Sequence, residues 1–591
     1  MAAVLVLTGD AFGGALTVVS IEPGRHELNV PVKSSITIDF DQPVMTSSVN
    51  VNSFRAYGRW SGAVRGPFSF SNANQSVTLT PNRPYTSGEA VMVILSHDLK
   101  AADGTPLRSA GYSYQFFTRS RPAPVTFTEL DTFSNVTSGQ TRIYGAAASD
   151  LNEDGWMDLT TVNEVSHDLR VFLNMADGSG LYGTVMLPPL PIGVEASPNE
   201  PGDFNNDGHA DLAIAASDSS DAWFALGVGN GTYMGGTQSV SVGSTPHGVA
   251  VLDADGDGDP DVATSNTGAN NISLMLNNGS GVFGSAINFD SGGGGEYALS
   301  AGDMDNDGIM DLVVGARFDQ DVIVMRGNGN GTFTAIETEG AGGSVWMIAC
   351  GDVNGDGNLD VTCANDGSNN GSILLGSGAG AVALTQVQPT ADHVVATDLG
   401  DFDGDGDMDW VLSSFGGGEW RLFANDGSGS FSFNQAFEAP SNPSCAIIVD
   451  IDNDRDLDLV QSDEIADVIV LQQNGPASNL VRPLGDFNSD GDVDGGDSSA
   501  LEACYSGDGV DAGLACGHGD FDGDGDVDCA DATAFENAWT GGGTAPTISQ
   551  CGPIGEVPAA NEWGVLMAAC ALLTAATVVA PRILRKARAN N

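Results

Sequence analysis

The sequence predicts a mainly β protein: a β-sandwich, then a seven-bladed β-propeller, then a small α module built on paired calcium loops, and a C-terminal transmembrane helix. Three observations carry this. Aspartate-rich clusters begin at residues 150, 203, 253, 303, 352, 401 and 450, at intervals of 53, 50, 50, 49, 49 and 49, and a repeat of roughly 40–50 residues suits a four-stranded propeller blade. Glycine supplies 79 of 591 residues, far above ordinary usage, among short strands that need many turns. Two further clusters, starting at Asp486 and Asp520 with a 34-residue interval, have a different layout, and a helix pattern follows each.

A chain of this length divides into two to five domains. Lys and Arg number 21 against 78 Asp and Glu, a net charge of −57, which excludes a nucleic-acid binder working by phosphate neutralisation. The acid is concentrated: the first seven clusters hold 29 acidic residues and the last two hold 11, so 40 of 78 lie in nine loops. Salt adaptation would scatter acid over surfaces. Acid at fixed offsets points to cation binding.

Residues 1–20 are apolar, but no Lys or Arg precedes Arg25 and Asp10 interrupts the run. They read as at most part of an export signal, with the true start upstream or another export route in use. Residues 21–120 alternate as short strands (SSITIDFD, QSVTLTP, AVMVILS, YSYQFFT) between turn clusters, the pattern of a sandwich of roughly 100 residues. The segments SITIDFDQPVMTSSVNVNSF, PNRPYTSGEAVMVILSHDLKAADG and GYSYQFFT resemble a bacterial Ig-like domain of the surface-layer type, which implies a spacer.

Residues 122–475 hold the seven repeats, each an apolar strand, an Asp-rich loop, a second apolar strand, a further strand, an Asn-Gly or Asp-Gly turn and then an outer strand. Asn278-Gly279 and Asp426-Gly427 suit two-residue hairpins with both central positions at φ > 0. The seventh repeat lacks an outer strand, and PVTFTELDTF (124–133) matches the outer-strand text of GTFTAIETEG (331–340). Segment 124–133 is therefore expected to pair with the seventh blade and close the ring, which removes sheet edges.

The loops read D-x-[DN]-x-D-G-x-x-D. Oxygen side chains alternate across a sharp bend in which Gly admits φ > 0. Six to eight hard oxygen ligands suit Ca²⁺, while Mg²⁺ demands a stricter octahedron, and the absence of Cys and His argues against zinc. These loops resemble the FG-GAP and VCBS repeats, the family that includes the integrin α-subunit propeller. The resemblance implies ligands at loop positions one, three, five and nine, with a main-chain carbonyl at seven. The expected sets are Asp150, Asn152, Asp154 and Asp158; Asp203, Asn205, Asp207 and Asp211; Asp253, Asp255, Asp257 and Asp261; Asp303, Asp305, Asp307 and Asp311; Asp352, Asn354, Asp356 and Asp360; Asp401, Asp403, Asp405 and Asp409; and Asp450, Asp452, Asp454 and Asp458. The first loop carries Glu153 and Trp156 but keeps its ligand positions. In the seventh, Arg455 replaces the glycine, and because Arg resists φ > 0 and brings a cation this is the weakest of the sites. The loops read mainly as staples of their blades, and secondarily as ions in direct contact with ligand.

Residues 484–540 contain two loops with oxygen ligands at 1, 3, 5, 9 and 12 and Gly at 6: Asp486, Asn488, Asp490, Asp494 and Asp497, then Asp520, Asp522, Asp524, Asp528 and Asp531. This is calcium-loop spacing with Asp in place of the usual Glu. A helix after each loop and none before resembles the duplicated dockerin type I module, which implies either docking to a cohesin-like domain or a compact calcium-stabilised spacer. Up to nine Ca²⁺ ions follow for the whole chain.

Of eight cysteines, Cys504, Cys516, Cys529 and Cys551 cluster here, and in an exported chain they allow two disulfides in three pairings. Cys350 and Cys363 flank one loop on strands close enough for a further bridge, and Cys445 reads as core. After a linker (541–556), VPAANEWG (557–564), the apolar run Val565–Ala580 and Arg582, Arg585, Lys586 and Arg588 resemble a bacterial C-terminal sorting signal of the IPTL type, with Pro558, Glu562, Trp563 and Gly564 matching. It implies sorting machinery as a partner. The run can serve as a membrane span with its flanks, and the basic end stays cytoplasmic, so the body faces outward.

Nothing in the sequence marks an enzyme. His26, His97, His167, His209, His247, His393 and His518 are dispersed, and no GxSxG, HExxH or P-loop is present. The carboxylates are committed to ion loops. The expectation is an exported, surface-tethered calcium protein for adhesion or recognition of a glycan or protein ligand. The alternatives are a calcium-dependent polysaccharide-degrading enzyme, a cellulosome-like component and a purely structural spacer. Glycan binding would draw on exposed aromatics, with Trp223, Trp346, Trp410 and Trp420 as candidates.

Overall fold

The computed structural model describes residues 15–475 apart from 138, 187, 188, 236 and 237, and residues 495–507, 521, 524 and 526–538. Two four-stranded antiparallel sheets form the N-terminal unit. One orders Val18–Glu22, Ile36–Phe40, Ser76–Leu79 and Phe68–Ser71; the other orders Gly62–Ala63, Phe54–Gly58, Ala90–Leu95 and Tyr112–Phe117. Period-two alternation builds the core: Ile36, Ile38 and Phe40 turn inward and meet Phe54, Val93, Tyr114 and Phe116. The unit begins upstream of residue 21, because Leu16 is fully buried and bridges to Leu107, and Val18–Glu22 is its first strand. Leu16 and Val18–Glu22 are therefore part of the sandwich and not of a separate N-terminal segment.

Seven four-stranded antiparallel sheets follow, one per repeat. Their first strands are Ile143–Ser149, Ala196–Gly202, Pro246–Leu252, Glu296–Gly302, Ser344–Gly351, Val394–Gly400 and Pro443–Val449. Each packs against the next, and Pro443–Val449 packs against Ile143–Ser149, so the seven contact one another in a cycle. The second strands are buried along their whole length, as in Asp211–Ala216 and Asp311–Ala316, because neighbouring sheets cover both faces. The outermost strands alternate half-buried and exposed residues, as an outer rim should.

The last sheet is completed out of order. Phe127–Ser134 pairs antiparallel with Val468–Asn474, from Phe127 opposite Asn474 to Ser134 opposite Val468. This is the pairing expected of segment 124–133. Asn174 Nδ2 donates to Ile451 O at 2.8 Å, joining the first repeat to the seventh, and Gly475 N–H donates to Thr126 O at 2.9 Å where the chain enters and leaves.

Three expectations need correction. Gly279 and Gly281 are the left-handed residues of their turn and Asn278 is not, so the connection is a wider loop than a two-residue hairpin. Cys350 and Cys363 are free thiols: Cys350 stands opposite Val361 and Cys363 opposite Ile348, which offsets them along the sheet. Cys445 is half-buried and lines a central cavity rather than the core, with Sγ 3.0 Å from Ser462 Oγ.

Helices Gly495–Cys504 and Cys529–Ala538 follow the two C-terminal loops. Leu501, Phe521, Val527, Ala532 and Phe535 form their small core, and Cys504 and Cys529 are both disulfide-bonded. No helix among the described residues is long and apolar enough to cross a membrane. The expected tail, residues 557–591, the linker, Cys516 and Cys551 lie outside the described residues.

Candidate metal centres

Each of the seven loops joins the first strand of a sheet to the second. Loop position nine is the first residue of the second strand, and its carboxylate is bonded alike in every repeat. One oxygen accepts the amide of loop position two at 2.8–3.2 Å. The other accepts the amide sixteen residues on, at the end of the third strand, at 2.7–2.9 Å. Asp158, Asp211, Asp261, Asp311, Asp360, Asp409 and Asp458 thus tie three segments each. An ionised carboxylate has about four lone-pair sites, so each keeps capacity for a cation.

The rest of the loop is a series of side-chain turns. Position one accepts the amide of position six at 2.8–3.2 Å. Position three accepts from position five at 3.0–3.3 Å, and position five from position seven at 2.9–3.2 Å. Two residues per loop are left-handed. Position six has φ between 74° and 101° in all seven, Arg455 included at 74°. Arg455 therefore adopts the bend it was expected to resist, and its amide bonds Asp450 as the glycines bond theirs. Position four has φ between 56° and 80°, filled by Glu153, Asn206, Gly256, Asn306, Gly355, Gly404 and Asn453. Three residue types share that geometry, so no repeated letter marks it.

Carboxylate oxygens converge within 4.8 Å in four of these loops: Asp253, Asp255 and Asp261; Asp303, Asp305 and Asp311; Asp401, Asp403 and Asp409; and Asp450, Asp452 and Asp458. These are positions one, three and nine. In the first, second and fifth loops Asn152, Asn205 and Asn354 stand at position three beside the acid pairs Asp150 and Asp158, Asp203 and Asp211, and Asp352 and Asp360. Position five, occupied by Asp154, Asp207, Asp257, Asp307, Asp356, Asp405 and Asp454, is outside the converging groups and is turned toward the position-seven amide. A fifth group joins Asp526, Asp528 and Asp531 in the C-terminal module, where Asp531 accepts the amides of Phe521 at 2.7 Å and Asp528 at 2.8 Å. Asp526 was not among the expected ligands, and Asp524 is described but not in the group. Asp486, Asn488, Asp490, Asp494, Asp520 and Asp522 lie outside the described residues, and Asp497 is described only as part of its helix.

The electrostatics fit a hard cation. Burial, reinforced by neighbouring carboxylates, pushes Asp158 and Asp360 up to about 7 and Asp211, Asp311 and Asp409 up to about 8. Asp261 and Asp458 are held well above the ordinary carboxylate range for the same reasons. Asp203 Oδ1 and Asp450 Oδ1 are buried without a hydrogen-bond partner. Clustered, desolvated oxygen donors with spare lone pairs suit Ca²⁺.

The N-terminal sandwich sits on this loop face. Arg25 pairs with Asp303 at 2.9 Å, Arg65 with Asp203 at 2.9 Å and Arg83 with Asp150 at 3.7 Å, while Ser120 Oγ donates to Asp401 at 2.8 Å. All four partners are position-one carboxylates. Arg55 bonds Asp259, and Arg108 donates to Gly308 O at 2.7 Å. Repeat reasoning missed these contacts, although ten of the 21 basic residues lie between Arg25 and Arg121. Of the candidate tryptophans, Trp410 and Trp420 are fully buried, and Trp346 lines the central cavity.

A model of the bacterial Ig-like domain matches residues 13–118. Among solved structures, BBS1N in complex with ARL6DN is 12% identical with a TM-score of 0.42, covering 61% of this chain and 99% of that one. A lectin from Agrocybe aegerita, described as recognising non-reducing terminal N-acetylglucosamine, is 14% identical with a TM-score of 0.36, covering 67% and 94%. A putative 6-phosphogluconolactonase from Bacteroides fragilis is 12% identical with a TM-score of 0.40, covering 68% and 99%. No curated protein matches the chain. The model of the FG-GAP-like repeat matches six times in overlapping spans, 150–214, 203–264, 253–314, 311–363, 352–412 and 401–460; these reach over more than half of the 591 residues, and the chain belongs to the FG-GAP-like repeat family.

Proposed function

We propose that the chain is an extracellular surface protein that recognises a ligand, with the seven sheets as blades of a closed β-propeller stapled by calcium and the Ig-like domain seated over the metal loops. The observation that supports it is the set of equivalent loops whose buried carboxylates have too few counter-charges within the chain. A divalent cation supplies them, and calcium is plentiful outside cells. The C-terminal pair of loops extends the same chemistry as a dockerin-like module, for a cohesin-like partner or as a spacer, and the basic-ended apolar tail tethers the body at the surface. Catalysis is not part of this reading.

Binding of the purified full chain to an array of glycans and matrix proteins, with calcium and with chelator, tests it. Calcium-dependent retention without product release is the expected result. A blank array in calcium would overturn glycan and matrix recognition and leave the spacer reading and docking to a cohesin-like domain. Release of unsaturated or reducing sugar would establish an enzyme instead.

A further inference from the structure

The first strands of the seven sheets surround a cavity of about 540 Å³, within the range of roughly 300–1,000 Å³ of small-molecule sites. The residue six places before each loop's first aspartate is Tyr144, Ser197, His247, Tyr297, Trp346, Val395 and Ser444 in turn. The four aromatic ones meet. Tyr144 Oη lies 3.0 Å from His247 Nε2, His247 stacks on Tyr297 with ring centres 3.6 Å apart, and Tyr297 stands 4.5 Å from Trp346. His393 and Phe415 of the sixth repeat extend the series, Trp346 to His393 at 5.4 Å and His393 to Phe415 at 5.4 Å. All six line the cavity. Tyr144, His247, Tyr297 and Trp346 stand near the beginnings of their first strands, about 16 Å of extended chain from the metal loops at the other ends, and His393 and Phe415 flank the first and second strands of the sixth repeat at the same end.

The two ends of the cavity differ. On the loop side it is lined by Arg59, Trp60, Gln115 and Phe117 of the Ig-like domain, and Arg59 reaches Asp398 at 3.5 Å and Glu200 at 3.7 Å on the ring. That domain closes the loop end. At the aromatic end the charged groups are bonded to one another. Arg317 bonds Asp366 at 2.7 Å and covers Trp346 at 4.2 Å from its ring centre, His393 Nδ1 lies 2.8 Å from Asp366, and Arg142 pairs with Glu164 at 3.0 Å and with Glu464. Charges of both signs that already bond one another give donors and acceptors rather than a free counter-charge for an ion, and Arg317 already takes up the cation-binding capacity of Trp346. A wall of aromatic faces interleaved with such groups fits an uncharged ring that is apolar on its faces and carries hydroxyls on its edge.

We propose that this aromatic mouth binds a neutral sugar residue, offered as a chain end because the Ig-like domain blocks passage through the ring. The inference rests on the recognition reading above and deepens it. The ligand's face stacks on Trp346, the half-buried ring of the series, with the buried, mutually stacked Tyr297 and His247 as the wall behind it, and its hydroxyls meet Glu464, Arg142 and His393.

The test is a glycan array and titration calorimetry on the full chain in calcium, for the wild type and for Trp346→Ala, Trp346→Phe and His393→Ala. His393 is half-buried at the rim, and melting in calcium checks that each variant is folded. The expected result is binding of glycans by their terminal residue, weakened about ten-fold or more by Trp346→Ala, measurably by His393→Ala and little by Trp346→Phe. Undiminished glycan binding by Trp346→Ala and His393→Ala overturns this site while the recognition reading stands. Retention of matrix proteins alone overturns the sugar assignment in the same way, and a wholly blank array overturns both.

Discussion

Asp311 accepts the amides of Met304 at 3.0 Å and Gly327 at 2.8 Å, so it holds three chain segments before any cation arrives. Asp307 accepts only the amide of Ile309, two residues on, at 2.9 Å. The two should separate under mutation. In chelator, Asp311→Ala is expected to cost about 2 kcal/mol or more through two stranded buried donors, and Asp307→Ala well under half of that, read from denaturant melts. Equal costs would contradict the division. The raised carboxylates also fix a pH dependence. Asp211, Asp311 and Asp409 titrate near 8 when folded, against an ordinary value of 3.8. Without a cation, the folded chain binds more protons than the unfolded between about pH 4 and 8, so its stability falls as pH rises. Calcium takes the deprotonated form, and its stabilising effect grows across the same window. The chelated melting temperature should therefore drop from about pH 5 to pH 8 while the calcium-loaded one does not. At this scale the sequence was only partly readable. Position six of each loop advertises itself as glycine, whereas position four has the same handedness under glutamate, asparagine and glycine, and Arg455 shows that even position six is a preference.

At the scale of elements, the period of about 50 residues made the seven sheets legible, and the missing strand of the seventh was found from matching text. Deleting Phe127–Ser134 leaves Val468–Asn474 as a bare edge. Lower melting temperature and self-association through that edge are expected, visible in thermal scans and sedimentation; a monomer of unchanged stability would show that the pairing contributes nothing. The seating of the Ig-like domain was not legible, because it depends on contacts between two different folds and no repeat encodes it. It depends on close backbone approach at a few loop positions. A Cβ on Gly256, at φ 80°, would stand 2.5 Å from the Ala110 carbonyl carbon. Gly256→Ala is expected to cost about 2 kcal/mol or more through left-handed strain and overpacking, and to expose the connector near residues 119–126 to protease. Gly355→Ala is the control, with no atom within 4 Å of its Cβ, so strain alone acts there.

For the whole molecule, every loop that binds calcium adds its own increment to stability, about 2.7 kcal/mol when the ion is at one hundred times its dissociation constant. Several such loops on one ring should make chelation lower the melting temperature steeply, and a calcium titration followed by calorimetry should show several equivalents; an unchanged melt would remove the metal from the account. The distribution of charge belongs to this scale too. The domain holding ten of the 21 basic residues lies on the face where the acid is concentrated, so the net −57 hides an internal complementarity. The route of the chain has a mechanical consequence. It enters the ring at Phe127 and leaves at Asn474, and these two residues are the first rung of one antiparallel ladder. A pull on the two flanking segments would peel that ladder one hydrogen bond at a time instead of shearing all of its rungs together, which is the weaker way to load a sheet. The arginines that anchor the sandwich to separate loops offer a parallel path, spreading tension over several sheets before the seam between the last strand and the first begins to open.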